Sequence, residues 1–186
     1  EGEGVELEAA AEATAPASAA PASAAPMVEV EAQERRVRHD WYIGFGFGGG
    51  VGLHRRVGSG GAVGFGGFIH AGGRIRDALA MGVRVINAGA TNLGTSGLLV
   101  EALVFPLPRR GLRIGAAVGP GAVWSIEQRM AGERSNAAAL AAAFDVGYDF
   151  WLLRRLNLGV ELFGMGGIAR GAQVATFGLG VSLNWY

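Results

Sequence analysis

The sequence predicts an all-β fold: an eight-stranded antiparallel barrel that crosses a membrane, preceded by a disordered N-terminal segment. Hydrophobic residues alternate with small or polar residues in eight separate segments, which is the period-two pattern of β-strands. The charged residues of these segments never fall on the face that carries the large apolar side chains. Charged residues also interrupt every candidate apolar run of about 18 residues, so no helical membrane span is expected.

The composition excludes several classes of function. The chain has 186 residues, with 33 glycines and no cysteine, so it has no disulfides, no cysteine nucleophile and no thiolate metal site. Its 16 basic and 16 acidic residues balance to a net charge of zero, and nucleic-acid binding leaves a basic excess that is missing here. No cofactor is predicted, and the three histidines do not follow a recognised metal-ligand spacing.

Residues 1–38 differ in composition from the rest of the chain. They are rich in alanine, proline and glutamate and contain no aromatic residue, so they have almost nothing to bury. We therefore expect two parts: a disordered tether at 1–38 and a β-barrel at 39–186. The sequence does not identify the partner of the tether.

Four alternating segments make up the first half of the predicted barrel. In 41–47 and 63–71 the residues between the large apolar positions are mostly glycine. In 79–85 and 98–104 one charged residue stands between them. With their flanks, these segments are long enough for the ~9–11 residues with which a tilted strand crosses a bilayer.

The second half repeats the pattern in four more segments, at 112–118, 140–150, 156–162 and 177–185. Large apolar residues alternate here with glycine, alanine and charged or polar residues. An alanine-rich stretch at 136–144 also fits the start of a helix, because alanine has the highest helix propensity. We expect a strand instead, because alternation continues through 144–150.

The position of the charges favours a barrel over the alternative fold, a soluble β-sandwich. A sandwich would turn its charged faces to water and bury its apolar faces against each other. In a small barrel the narrow lumen takes small and charged residues, and lipid contacts the bulky face. Unpaired charge in that lumen would be costly, so we expect a paired network that plugs it, with Arg74 close by: His70, Arg84, Glu101, Arg113, Asp145, Asp149 and Glu161.

The predicted connections differ in length at the two ends of the barrel. Short arginine-containing turns are expected at 73–77, 107–111 and 152–155, and longer or glycine-rich loops at 53–60, 88–97, 125–137 and 166–172. Short turns are typical of the periplasmic end of outer-membrane barrels, where an even strand count also places both termini. We expect an aromatic girdle at that end and one tryptophan at the opposite rim: Trp41, Phe105, Phe150, Trp151 and Trp185, with Trp124 opposite.

The C-terminal segment, 177–186, has glycines, alternating hydrophobic residues and a terminal aromatic pair. In this feature and in overall pattern, residues 39–186 resemble the small eight-stranded outer-membrane barrels of Gram-negative bacteria, the OmpA-domain and OmpX type. The resemblance implies outer-membrane localisation, contact with membrane lipid and recognition by the barrel assembly machinery through Phe177, Gly180, Leu183 and Trp185. Tyr186 lies one residue beyond the expected end of the pattern.

Two patterns suggest enzymatic functions that we do not expect. Residues 44–49 fit the spacing G-x-G-x-x-G of dinucleotide sites, but no acidic residue follows about 20 residues later. Some lipid-A-modifying enzymes are barrels of this size with a histidine and a serine near the outer rim. His70 and Ser182 are both on the polar face but not near that rim, and His54 with Ser59 is the only rim pair.

We therefore expect a structural or interaction role, either in membrane integrity or in holding periplasmic partners through the tether. The alternative is a narrow channel for small solutes or lipophilic compounds, and a lipid-A-modifying enzyme is a third possibility. Lipopolysaccharide is a further expected contact, because guanidinium groups bind phosphate well and four arginines fall in predicted outer loops: Arg55, Arg56, Arg129 and Arg134.

Overall fold

The computed structural model describes residues 40–55, 60–90, 93–107, 110–125 and 136–186. They form eight strands and confirm the all-β fold. The strands are β1 (Trp41–Arg55), β2 (Gly60–Arg76), β3 (Leu79–Ala90), β4 (Leu93–Leu107), β5 (Leu112–Ser125), β6 (Ala137–Trp151), β7 (Leu156–Ala169) and β8 (Ala172–Trp185). The predicted tether, 1–38, lies outside the described residues.

The strands form a closed antiparallel barrel in which each pairs with the next and β8 pairs with β1. Following paired residues once around the barrel from Trp41 leads back to β1 at Val51, a stagger of ten residues. With ~3.3 Å per residue and ~4.8 Å between strands, this stagger corresponds to a strand tilt of about 41°. The tilt agrees with that of membrane-spanning barrels.

We call the end of the barrel where β1 begins and β8 ends the terminal rim, and the opposite end the loop rim. Two predicted long loops at the loop rim are wrong. Strands β3 and β4 extend through most of 88–97, and β7 and β8 through most of 166–172, leaving two-residue connections. The small residues of these two segments had suggested loops. In a narrow barrel, however, small residues are also common in the strands, because the lumen has little space. Gly171, with φ of 82°, permits one of these turns.

The predicted lipid-facing residues do face outward. Phe47 is 63% exposed, Leu179 64% and Val63 86%, and the other exposed large apolar residues follow the same alternation. The outer surface therefore meets the requirement for contact with hydrocarbon, and closure leaves no unpaired sheet edge within it.

The alanine-rich stretch is strand, as expected, because it lies within β6 and pairs with β5 and β7. In the described parts of the chain there is no helix with the length and apolar character needed to span a membrane.

Glycines on the inner face of β1 leave room for aromatic rings from other strands. A Cβ atom added at Gly46 would lie 2.6 Å from ring atoms of Phe68, which is too close for carbon atoms. The inward-facing glycines Gly44, Gly46 and Gly48 therefore have a packing role, because the rings of His70, Phe68 and Phe163 occupy the space that side chains would need.

Candidate functional site: the buried charge network

All seven predicted network residues point into the barrel, and each is at most 2% exposed. Glycine makes room for several of them. Asp145 lies opposite Gly115, Asp149 opposite Gly159, and Glu161 opposite Gly147. The alternation of charged residue and glycine thus brings the charges of β2 to β7 together in one layer of the lumen.

Arg84 bridges two carboxylates from different strands. Its guanidinium lies 2.5 Å from Oε1 of Glu101 and 2.6 Å from Oδ1 of Asp145. It also lies over the ring of Phe68, with Cζ 4.3 Å from the ring centroid. Arg84 is fully buried, so these carboxylates supply the compensation that a desolvated guanidinium requires.

Arg113 is the second bridging cation. Its Nη2 donates to Glu161, its Nε lies 3.4 Å from Asp145 Oδ2, and its Nη1 lies 3.8 Å from Asp149 Oδ1. Asp145 therefore lies between the two guanidiniums and joins them into a single network.

His70 links Glu101 to the C-terminal strand. Nδ1 lies 2.9 Å from Glu101 Oε2, and Nε2 lies 3.0 Å from Oδ1 of Asn184. The amide group of Asn184 is oriented by Asp149, because its Nδ2 donates to that carboxylate over 3.3 Å. Both ring nitrogens of His70 are thus engaged, one with a carboxylate on β4 and one with an amide on β8.

Two guanidinium groups and one imidazole ring face four carboxylates in this layer. Two tyrosines donate hydrogen bonds to two of these carboxylates. Tyr42 donates to Oε2 of Glu101 over 2.9 Å, and Tyr186 donates to Oδ2 of Asp149 over 2.8 Å. Glu101 and Asp149 are therefore held by hydrogen bonds as well as by ion pairs.

Sequence reasoning missed Tyr42, Asn184 and Tyr186 as partners of the network. The residue beyond the expected pattern, Tyr186, turns inward after Trp185, and its N–H donates to the carbonyl of Arg155 over 2.9 Å. Its position in the alternation could have indicated this inward direction, because Ser182 and Asn184, two and four residues earlier, also face inward.

An apolar layer covers the network on the loop-rim side. For five members of the network, the residue two positions nearer the loop rim belongs to this layer: His70, Arg84, Glu101, Asp145 and Glu161. The upper cluster consists of Phe68, Ile86, Ala88, Leu99, Ala117, Ala141, Ala143, Phe163 and Met165.

Two further clusters lie at the ends of the lumen. The rim cluster, at the loop rim, consists of Leu93, Val123, Ala169 and Val174. The lower cluster, at the terminal rim, consists of Tyr42, Ala80, Leu103, Phe105 and Tyr186. Buried charge is thus bounded by packed apolar side chains in both directions along the barrel axis.

Two residues of the predicted aromatic girdle are turned inward. Phe105 is 1% exposed in the lower cluster, and Trp151 packs against Tyr186 with ring centroids 6.4 Å apart. The alternation accounts for both, because they share parity with the inward Glu101 and Asp149. The other girdle residues lie on the outer face: Trp41, Phe150 and Trp185 near the terminal rim, and Trp124 near the loop rim.

Arg74 is not part of the network. It lies near the terminal rim, where it pairs with the exposed carboxylates of Asp40 and Asp77 at 3.3 Å and 3.6 Å. Its side chain is 22% exposed there, just before the β2–β3 turn.

The residues considered for catalysis do not form a nucleophile–base pair in the described structure. Ser182 receives hydrogen bonds from Arg113 and Asn184, whereas both nitrogens of His70 are directed elsewhere. His54 lies in β1, but Ser59 is outside the described residues. Within the described ranges, no group of three histidine, aspartate or glutamate side chains is arranged to hold a metal.

The four loop arginines expected to contact lipopolysaccharide are not placed. Arg56, Arg129 and Arg134 fall outside the described residues, as does the side chain of Arg55. The segment expected to signal assembly lies in β8. There Phe177 and Trp185 face outward, Leu183 shares their parity, and Gly180 lies beneath the ring of Phe163.

The fold is similar to that of two solved structures. Neisserial surface protein A aligns with a TM-score of 0.52 and 16% identity, over 77% of this chain and 96% of that one. The attachment invasion locus protein Ail of Yersinia pestis aligns with a TM-score of 0.51 and 10% identity, over 80% of this chain and all of that one. No protein-family model and no curated protein matches the sequence.

This chain has the fold of the small eight-stranded outer-membrane β-barrels. At these levels of sequence identity, the similarity shows a shared fold only. Together with the apolar outer surface, this architecture indicates the outer membrane as its location and membrane lipid as its surroundings.

Proposed function

We propose that this protein is a closed, non-conducting outer-membrane barrel that serves as a structural anchor. The observation that carries the proposal is the buried charge network, which is bounded by the upper cluster on one side and the lower cluster on the other. A hydrated ion would have to displace packed apolar side chains and break paired charges in order to cross. Both steps are energetically unfavourable.

The proposal includes no catalytic step and no cofactor. Both ring nitrogens of His70 lie within hydrogen-bond distance of Glu101 and Asn184, so neither is directed at Ser182 as a general base would be. Ser182 is likewise occupied by two donors.

Partners follow from the two ends of the molecule. The first described strand begins at the terminal rim, which we assign to the periplasmic side, so residues 1–38 would tether a periplasmic component. Insertion would depend on the barrel assembly machinery recognising β8 through Phe177, Gly180, Leu183 and Trp185. The loop arginines would meet lipopolysaccharide phosphates at the other side.

Conductance across planar lipid bilayers tests the sealed lumen. The full chain should insert without producing discrete current steps, because the apolar clusters exclude a continuous water column. Reproducible unitary steps from the unaltered chain would refute the proposal and favour a narrow channel.

Complementation tests the anchoring role in cells that lack the protein. Uptake of a hydrophobic dye would be compared after supplying the full chain or residues 39–186 alone. Restoration by both variants would support a role of the barrel in membrane integrity, whereas restoration by the full chain alone would support tethering. Increased uptake that neither variant corrects, or no change in uptake without the protein, would refute the anchoring role.

A further inference from the structure

The outside of the barrel carries an apolar groove on β6, β7 and β8. Its floor is a row of three small residues, in which Ala142 pairs with Gly166 and Gly166 pairs with Ala175. The groove has a volume of about 270 Å³. Small residues side by side on three strands therefore interrupt an outer surface that is otherwise bulky.

Large residues form the two walls of the groove. Leu140 and Ile168 lie on the side of the loop rim. Phe144 and Phe177 lie on the other side, with ring centroids 6.1 Å apart. The groove thus has a defined width and is closed below by two aromatic rings.

The groove lies in the half of the barrel nearer the loop rim. Ile168 is two residues from the β7–β8 turn, and Gly166 is four, a distance of ~13 Å along the strand. On the outward face its surroundings are hydrocarbon, so its occupant must be apolar.

The dimensions favour a lipid chain over a second protein. The groove spans three strands and about five residues along them, or roughly 10 Å by 13 Å. Stable protein interfaces bury more than about 1,000 Å² in total, far more than this depression provides. A flexible acyl chain is narrow enough to reach its floor.

A cation lies at the end of the groove nearest the membrane surface. Arg170 is exposed in the β7–β8 turn, and the outward-facing, exposed Gln173 pairs with Ile168 of the groove wall just after that turn. Within the described parts of the chain, no carboxylate forms an ion pair with Arg170. A guanidinium and an amide above an apolar groove are complementary to a phosphate group attached to an acyl chain.

We propose that this groove binds one acyl chain of a phosphorylated outer-leaflet lipid, lipid A, and that Arg170 holds a phosphate of the same molecule. The inference rests on the outer-membrane location in the proposed function and not on the sealed lumen. It identifies one lipid site among the general lipid contacts of the barrel.

Native mass spectrometry of the full chain in detergent tests this site. The probes are bisphosphorylated lipid A and the same lipid after removal of its phosphates. Ala142→Leu would fill the floor, and Ala71→Leu on β2 is the matched control, because Ala71 lies on the same outer face away from the groove. Arg170→Gln would remove the charge, and Arg154→Gln is its control in an exposed turn at the opposite rim.

The unaltered chain should retain one lipid A, and Ala142→Leu should weaken retention about tenfold for both probes, whereas Ala71→Leu should not. Arg170→Gln should weaken retention of the phosphorylated probe roughly tenfold and leave the dephosphorylated probe unchanged. A change in electrophoretic mobility on heating would confirm that each variant is folded.

Equal retention by Ala142→Leu and Ala71→Leu, or by Arg170→Gln and Arg154→Gln, would overturn the proposal. A concentration-dependent dimer of the unaltered chain that Ala142→Leu abolishes would also overturn it and assign the groove to a second copy. Either result would leave the conductance and complementation tests unaffected, so failure here is distinguishable from failure of the proposed function.

Discussion

Replacement of Arg84 by methionine tests how far the barrel depends on its buried network. The side chain keeps a comparable length but loses the charge that faces Glu101 and Asp145 at 2.5 Å and 2.6 Å. Both carboxylates are essentially inaccessible to water, so the substitution leaves buried negative charge uncompensated. Breaking a buried pair in this way costs about 3–5 kcal/mol.

Urea unfolding of the barrel in lipid vesicles, followed by tryptophan fluorescence, measures this cost as a loss in the free energy of unfolding. The control is Arg154→Met, which removes an exposed arginine and should change stability by less than about 0.5 kcal/mol. Vesicles keep the lipid-facing surface the same in both variants.

A second substitution separates charge from packing. Asp145→Asn in the Arg84→Met background removes one of the uncompensated carboxylates, so the double variant should lose less stability than the sum of the single losses. We expect a coupling energy of at least about 1 kcal/mol, as measured for groups within one network. A loss below about 1 kcal/mol for Arg84→Met, or strict additivity in the double variant, would refute the reasoning.

Three further predictions concern packing, the C-terminus and the lipid-facing surface. Gly46→Ala should cost about 1–3 kcal/mol of unfolding free energy, because its Cβ would meet Phe68. In contrast, Gly49→Ala, whose added Cβ would lie 3.6 Å from the carbonyl oxygen of Gly64, should cost far less. Equal losses in urea unfolding would contradict the packing. Tyr186→Phe should lower the free energy of unfolding by about 1–3 kcal/mol, because Asp149 loses a buried donor. The control is Tyr148→Phe on the exposed outer face, and equal stability of the two variants would argue against the inward C-terminus. Val100→Arg, in the middle of β4, should lower the free energy of unfolding in vesicles by about 2–4 kcal/mol. Leu107→Arg, at the end of β4, should lower it by no more than about 1 kcal/mol. The reverse order would contradict the membrane placement.

Alternation and the distribution of charge were sufficient to predict the fold. Because the period of a strand is two, the parity of Arg84, Glu101 and Asp145 determined their inward direction without knowledge of the register. Parity also indicates that Phe105 and Trp151 face inward. Their size and their position near strand ends had instead suggested an outward-facing girdle. Aromatic side chains near a rim can face either way, and here the parity of the position was a better guide to direction than the size of the side chain.

Contacts across the barrel could not be predicted from the sequence. The hydrogen bond between His70 and Asn184 and that between Tyr186 and Asp149 depend on the ten-residue stagger, which brings distant strands face to face. The groove on β6 to β8 depends on register for the same reason, since Ala142, Gly166 and Ala175 become neighbours only when three strands are aligned. Stagger arises from the fit of all eight strands together and is not encoded in any one segment.

The sealed lumen is the central claim, and cysteine accessibility measures it most directly, because the chain has no cysteine of its own. Ala143→Cys would place a thiol in the upper cluster, and Leu153→Cys would place one at an exposed turn. In folded barrels in vesicles, a membrane-impermeant maleimide should label Leu153→Cys rapidly and leave Ala143→Cys unlabelled until urea unfolds the chain. Labelling of Ala143→Cys in the folded barrel at a rate close to that of Leu153→Cys would show that water reaches the interior, and the lumen would not be sealed.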